Sequence, residues 1–205
     1  MADSLFSIKP ILYLLIPIAY IIGSIPFGVL VAKAKGIDLQ SVGSKNIGAT
    51  NVLRTVGKGA AVVTLSGDFL KGAVTVILGR VVVGGDFWEG IMGVTVVLGH
   101  IYSIFLSFRG GKGVATGFGV LAVYSPFSAL IALIIWILTA IYTRYSSLAA
   151  ITAFISLPLI FFLFNVSGIK IFFAMVLTFL IILKHRDNIK RLIEGTETKM
   201  GEKVR

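Results

Sequence analysis

The sequence predicts an all-α polytopic membrane protein, a seven-transmembrane-helix bundle with its N-terminus outside and its C-terminus in the cytoplasm. Three observations predict it. The 205 residues have a mean hydropathy of +0.98 and are 57% hydrophobic against 14% charged, and several apolar runs approach the ~20 residues that a membrane helix needs. The long apolar stretch 114–142 is interrupted at Tyr124-Ser125-Pro126, and proline disfavours helix in the residue before it while suiting the first turn of a new one. With that break, the crossings alternate so that all but Lys9, Arg80 and Lys170 of the 19 Lys and Arg fall on one side. That asymmetry is the positive-inside pattern of a cytoplasmic face.

The first crossing covers Pro10 to Ala32. It is too long for the apolar core of a signal peptide and lacks a clear small-residue cleavage site, so it is read as retained. "GSIPFG" (23–28) gives it small residues for close packing and a proline kink. A polar, glycine-rich loop runs from Lys33 to Lys58. "GAAVVTLSG" (59–67) is too short to span and is placed at the interface or as a re-entrant piece. The second crossing is Asp68 to Val83, with Asp68 and Lys71 capping and bracing its start. "GGDFWEG" (84–90) is a turn that sets Trp88 at an interfacial position. The third crossing, Trp88 to Phe108, carries His100 near its cytoplasmic end. An intramembrane histidine is a functional candidate, and a neutral one bonded to a neighbouring helix fits equally. Helices over 114–124, 126–142, 147–164 and 168–184 complete the bundle. The first of these four is short and requires the bilayer to thin around it. No internal repeat is present, and the length suits one integral membrane domain over residues 1–205.

Composition narrows the chemistry. There is no cysteine, which excludes disulfides and thiolate metal sites; no metal cluster or cofactor motif is read. The net charge is +10, but basic residues are not interleaved with aromatics, so no nucleic-acid partner is expected. Cytoplasmic loops beside anionic membrane lipids account for much of the charge.

Three polar stretches then share the cytoplasmic face. "GSKNIGATN" (43–51) alternates small residues with hydroxyls and amides. Glycines let such a segment curl its N–H groups into an anion nest. Ser44, Asn46, Gly48, Thr50 and Asn51 line it, and Arg54 offers a planar fork that matches phosphate oxygens. A plain glycine-rich connector with helix caps fits the same residues. "RGGKG" (109–113) places Arg109, Gly110, Gly111 and Lys112 at a helix start, where the dipole favours an anion. It is not a Walker loop, because Gly113 stands where Ser or Thr is required; a basic turn against lipid headgroups is the alternative. "KHRDN" (184–188) brings His185 and Asn188 three residues apart, on one helical face. A solvated basic helix end fits Arg186, Lys190 and Arg191 well and those two less well. Three separated segments with phosphate-binding chemistry at one face point to a phosphate site in contact with lipid.

In these stretches the chain resembles the bacterial acyl-phosphate:glycerol-3-phosphate acyltransferases, the PlsY family. "GSIPFG", "GSKNIGATNVLRTVGKG", "DFLKG", "GHIYSIFLSFRGGKGVAT", "YSSLAA" and "KHRDNIKRLIEGTETK" occur in the family's order across nearly the whole chain. One departure is Lys45, where the family more often has glycine; its side chain points outward or adds a phosphate contact. The resemblance implies a seven-helix bundle in the bacterial cytoplasmic membrane, with its active site facing the cytoplasm. It implies glycerol 3-phosphate and acyl phosphate as substrates, no cofactor, and a functional link to the enzyme that makes the acyl phosphate. The reaction would move a fatty acyl group to the 1-hydroxyl, giving lysophosphatidic acid and inorganic phosphate. Ser44, Thr50, Arg54, Lys112, His185 and Asn188 carry over as site residues, and Ser147 in "YSSLAA" follows with Ser146 as its alternative.

Missing motifs shape the expected mechanism. The His-x4-Asp dyad of soluble-type acyltransferases is absent, since Phe105 and Lys190 stand five residues after His100 and His185. A mixed anhydride is already activated, so positioning and charge stabilisation suffice. Arg54 and Lys112 would neutralise phosphate, Asn188 would steady the oxyanion, and a substrate phosphate or His185 would take the hydroxyl proton. Two rivals remain: the same acceptor with acyl-CoA or acyl carrier protein as donor, and a transporter for phosphate or phosphorylated metabolites.

Overall fold

The computed structural model describes residues 11–164 and 166–202. Lys9, Pro10, Lys203 and Arg205, assigned above to the first crossing and to the two membrane sides, lie outside the described residues. Every regular element described is helical.

The first crossing is two helices, α1 (Leu12–Ser24) and α2 (Phe27–Lys33). The chain leaves helical geometry at Ile25, which has ψ 116°, because Pro26 follows it. The glycines around this break serve close approach. A Cβ on Gly23 would meet the Val96 carbonyl and one on Gly28 the Ile47 carbonyl. The loop beyond α2 contains a short helix, α3 (Ala49–Thr55).

Residues 59–67 are not a separate interfacial piece. They continue into α4 (Lys58–Val82), one unbroken helix of 25 residues. Gly59 and Gly67 do not break it; Gly67 is packed against the Phe27 ring. Asp68 and Lys71 therefore lie mid-helix and buried, not at a helix start. The next helix, α5 (Asp86–Ile101), begins before Trp88 and stops short of Phe108, with a 3-10 turn at Ile104–Leu106. Trp88 is thus in the first turn of a helix rather than in a loop.

The break at Pro126 is present, between α6 (Val114–Tyr124) and α7 (Pro126–Thr143). α8 (Ser146–Leu163) and α9 (Gly168–Lys184) follow, and α9 turns by 60° into α10 (Arg186–Ile193). Among the described residues, five segments are long and apolar enough to cross a membrane: 12–33, 58–82, 86–106, 126–143 and 146–163. The bent pair 168–193 makes a sixth, and α6 is a shorter apolar helix. The described residues therefore form an all-helical membrane protein with five to six candidate spans.

α6 has 11 residues, and its last carbonyls have no helical partners. Two cations supply them. Arg80 Nη2 donates to the Val123 carbonyl at 2.7 Å and Lys170 Nζ to the Tyr124 carbonyl at 2.8 Å. Both also meet carboxylates, Arg80 with Glu89 at 2.7 Å and Lys170 with Asp86 at 3.3 Å. These are two of the three cations that break the charge asymmetry. The core lies between α5, α6, α8 and α9, around Val96, Val120, Phe154, Leu157, Phe161 and Leu177. At the opposite end from the Arg80 and Lys170 caps, α3, the α5–α6 turn, the α7–α8 turn and the α9–α10 elbow surround one cleft.

Candidate active site

The cleft has a volume of about 1490 Å³. Its mouth is polar and the rest of its lining is largely apolar. Ser44, Asn46, Gly48, Thr50, Asn51, Arg54, Lys112, Ser147, His185 and Asn188 all stand in its wall. Residues from three stretches far apart in sequence therefore meet, as the sequence led us to expect of a single site.

The first stretch is shaped by Asn51. Its Oδ1 accepts the Ser44 N–H at 2.9 Å, and its Nδ2 reaches the Asn46 carbonyl at 2.9 Å and the Val42 carbonyl at 3.2 Å. The Asn51 amide thus ties the loop to itself. Gly43 and Lys45 both take the left-handed conformation, at φ +59° and +58°. Lys45 occupies a glycine-type position, with its side chain exposed in the cleft wall. Thr50 Oγ1 lies 3.1 Å from Ser146 Oγ. The Arg54 guanidinium has one long contact, 3.5 Å to the Lys199 carbonyl.

The second stretch divides. Lys112 and Gly113 line the cleft, whereas Arg109, Gly110 and Gly111 do not. Arg109 is exposed elsewhere. The N–H groups of Gly110 and Gly111 donate to the Ile101 and His100 carbonyls at 3.1 and 3.0 Å. They close the C-terminal end of α5 and leave no anion nest at those two positions. Lys112 Nζ donates to Asn188 Oδ1. Burial pushes the Lys112 ammonium down to about 8, because a charge away from water loses solvation.

The third stretch supplies His185, Asn188 and a residue that the sequence did not single out, Glu197. His185 Nδ1 lies 2.7 Å from the Ile181 carbonyl. That nitrogen therefore carries the proton, and Nε2 keeps its lone pair. Asn188 donates to Glu197 Oε1 at 2.6 Å while accepting from Lys112. Ser147 Oγ donates to the same carboxylate oxygen at 2.6 Å, and Arg191 Nε to the other at 2.7 Å. Burial pushes the Glu197 carboxyl up, but these hydrogen bonds outweigh it and hold it below the ordinary carboxylate range. Glu197 reaches the cleft because the tail folds back, with Met200 N–H on the Arg144 carbonyl at 2.7 Å. Only its place in "EGTETK" was visible in sequence, among charges that read as a solvated end.

Asp68 and His100 also stand in the cleft wall. Below them the lining is apolar. Val62, Leu65 and Phe69 of α4, Phe118 and Ala122 of α6, and Leu130, Leu133 and Trp136 of α7 continue it as a groove, with Val62, Leu65, Leu130 and Leu133 exposed on the outer surface of the helices. The cleft therefore joins a polar mouth carrying Arg54 and Lys112 to an apolar groove. Among the described residues no three His, Asp or Glu side chains converge as metal ligands.

A sequence model of the family described as glycerol-3-phosphate acyltransferase matches residues 13–195. The chain belongs to the glycerol-3-phosphate acyltransferase family. It is 47% identical to the glycerol-3-phosphate acyltransferase of Geotalea daltonii, over 87% of this chain and 92% of that one. It is 46% identical to that of Geobacter sulfurreducens, over 91% and 96%. The fold agrees. A crystal structure of PlsY, an integral membrane glycerol 3-phosphate acyltransferase, in its glycerol 3-phosphate form superposes with a TM-score of 0.89. The two share 44% identity, over 92% of this chain and 95% of that one. The lysophosphatidic acid form gives a TM-score of 0.87 at 43% identity, over the same shares. This acyltransferase thus has the family's fold along almost its whole length, and every cleft residue named above up to Asn188 falls within the matched span.

Proposed function

We propose that this acyltransferase moves a fatty acyl group from an acyl phosphate to the 1-hydroxyl of glycerol 3-phosphate, releasing lysophosphatidic acid and inorganic phosphate, and so performs the first acylation of phospholipid synthesis. The observation that carries the proposal is the two-part cleft, in which Arg54 and Lys112 stand at the mouth of a groove lined by Leu65, Phe118 and Leu133. An acyl phosphate has that shape and charge, and glycerol 3-phosphate brings the second phosphate.

The chemistry needs little beyond placement. The glycerol oxygen attacks the acyl carbon, the anhydride C–O bond breaks, and the hydroxyl proton ends on the departing phosphate. Arg54, with its guanidinium nearly free, clamps one phosphate, and Lys112 neutralises charge on the leaving one. Asn188, held between Glu197 and Lys112, fixes the ammonium. His185 offers Nε2 to the glycerol hydroxyl and orients it. Ser44 and Thr50 add hydroxyl contacts to phosphate, and Asn51 holds the loop that presents them.

We further place the protein in the bacterial cytoplasmic membrane as a single domain over residues 1–205, with the cleft facing the cytoplasm, the N-terminus outside and the C-terminus inside. Counting α6 and the bent pair 168–193 with the five full-length segments gives seven crossings. Arg80 and Lys170 support α6 as a crossing, since they complete the carbonyls at its C-terminal end. Membrane lipids are its surroundings, and the enzyme that makes acyl phosphate is its functional neighbour.

The donor decides the proposal. Purified protein given glycerol 3-phosphate with palmitoyl phosphate, palmitoyl-CoA or palmitoyl-acyl carrier protein should form lysophosphatidic acid from palmitoyl phosphate alone. Turnover with a thioester and none with the acyl phosphate would reverse the assignment.

A further inference from the structure

Three ionisable side chains, Asp68, Lys71 and His100, are buried together inside the bundle, each less than 5% exposed at the side chain. Charged groups in a membrane interior are expensive and persist where they have partners and a task. The reaction outlined above uses none of the three.

Their contacts run in one direction. Lys71 Nζ donates to the Ile25 carbonyl at 2.9 Å, at the break between α1 and α2, and pairs with Asp68 Oδ1 at 2.7 Å. The same carboxylate oxygen faces His100 Nδ1 at 3.4 Å, and Thr116 Oγ1 of α6 lies 3.2 Å from that nitrogen. The hydroxyl holds the ring's rotation by a hydrogen bond, with the carboxylate beside it. Its opposite edge lies against the turn that carries Lys112: a Cβ added to Gly111 would run into His100 Nε2. The main chain of His100 grips the same turn, because its carbonyl accepts the Gly111 N–H at 3.0 Å. Lys112 is the next residue.

We infer that Asp68, Lys71 and His100 form a positioning device for Lys112, acting through the Gly110–Gly111 turn and anchored at the proline break of the first crossing. His100 meets the turn with both ring and carbonyl, and α4 supplies a rigid base. The device explains why the turn needs glycine at 111, and why "GSIPFG", "DFLKG" and the histidine of "GHIYS" belong with the phosphate stretches. It rests on the reading that Lys112 contacts a substrate phosphate.

The test reads Lys112 rather than stability. Lys112 faces Glu197 and Asp187, which favour its charge, and Arg191 and Lys184, which oppose it; His185 stands beside it. Binding of inorganic phosphate, the leaving group that Lys112 faces, is measured calorimetrically against pH, so that no acyl transfer takes place. In the wild type, affinity should fall above pH of about 8, as the buried ammonium loses its proton. Lys112→Arg should flatten that limb, because guanidinium does not titrate there. His100→Asn keeps a polar atom near Asp68 but removes the ring edge from Gly111. Thr116→Val keeps the volume but removes the hydroxyl. In both, a loosened turn lets Lys112 hydrate. The limb should move up by about half a unit or more, and affinity at pH 7 should fall about fivefold or more, as charge-assisted contacts lose their geometry. If both variants keep the wild-type limb and affinity while Lys112→Arg flattens it, the cluster only braces the bundle and the inference is wrong. Absence of binding by the wild type would remove the reading of Lys112, and the inference with it.

Discussion

His185 shows how one hydrogen bond fixes a residue's chemistry. With its Nδ1 proton committed to the Ile181 carbonyl, the ring presents a lone pair, and such a nitrogen can orient a hydroxyl or take its proton. If the departing phosphate takes the proton, His185→Gln should keep kcat within about tenfold and raise KM, and the acidic limb set by phosphate near pH ~6 should persist. A kcat loss of about 10²–10⁴, the size of a general-base contribution, together with loss of that limb, would make His185 the base. Much of the candidate site was legible at this scale: Arg54, Lys112, His185 and Asn188, which line the cleft, announce themselves as polar groups in an apolar chain. The glycines did not. A sequence shows that Gly110 and Gly111 have N–H groups, but not that the end of α5 leaves two carbonyls that claim them. Glu197 was hidden because only the fold-back of the tail onto Arg144 takes it out of solvent.

At the scale of elements, a helix too short to span is rescued by its neighbours. α6 ends on carbonyls that Arg80 and Lys170 complete, with the cations placed where a helix C-terminus carries partial negative charge. Lys170→Ala should leave the Tyr124 carbonyl unpaired, at a loss of about 1–3 kcal/mol. The midpoint of thermal unfolding in detergent should drop by about 2–12 °C, at the roughly 2–4 °C per kcal/mol typical of a chain this size, and Lys170→Arg should recover most of it. An unchanged midpoint in Lys170→Ala would mean that water or lipid satisfies the carbonyl instead. The proline break that creates α6 was legible because proline acts locally. The continuity of α4 was not, because glycine reads as a breaker until its packing is seen. Gly67 on the Phe27 ring and Gly72 against the Thr116 carbonyl are close approaches between helices, not ends.

At the scale of the whole molecule, polar chemistry collects at one end of an apolar bundle. The charge asymmetry and the cleft are two views of that one arrangement, since Arg54, Lys58, Lys112 and Arg191 line its mouth. The sequence carried the asymmetry because charge sums over the chain without tertiary detail. It could not carry the cleft's depth, which depends on how α4 and α7 stand about α6. The central claim is acyl transfer from acyl phosphate at a cytoplasmic face. It is tested most directly in membrane vesicles of defined sidedness, from a host whose own glycerol 3-phosphate acylation is blocked. Palmitoyl phosphate is supplied in the bilayer, and glycerol 3-phosphate, which does not cross it, is supplied from outside. The account predicts lysophosphatidic acid and inorganic phosphate in equal amounts from inside-out vesicles, and neither from right-side-out vesicles until they are permeabilised. Equal rates from sealed vesicles of both orientations, or phosphate release without lysophosphatidic acid, would contradict it.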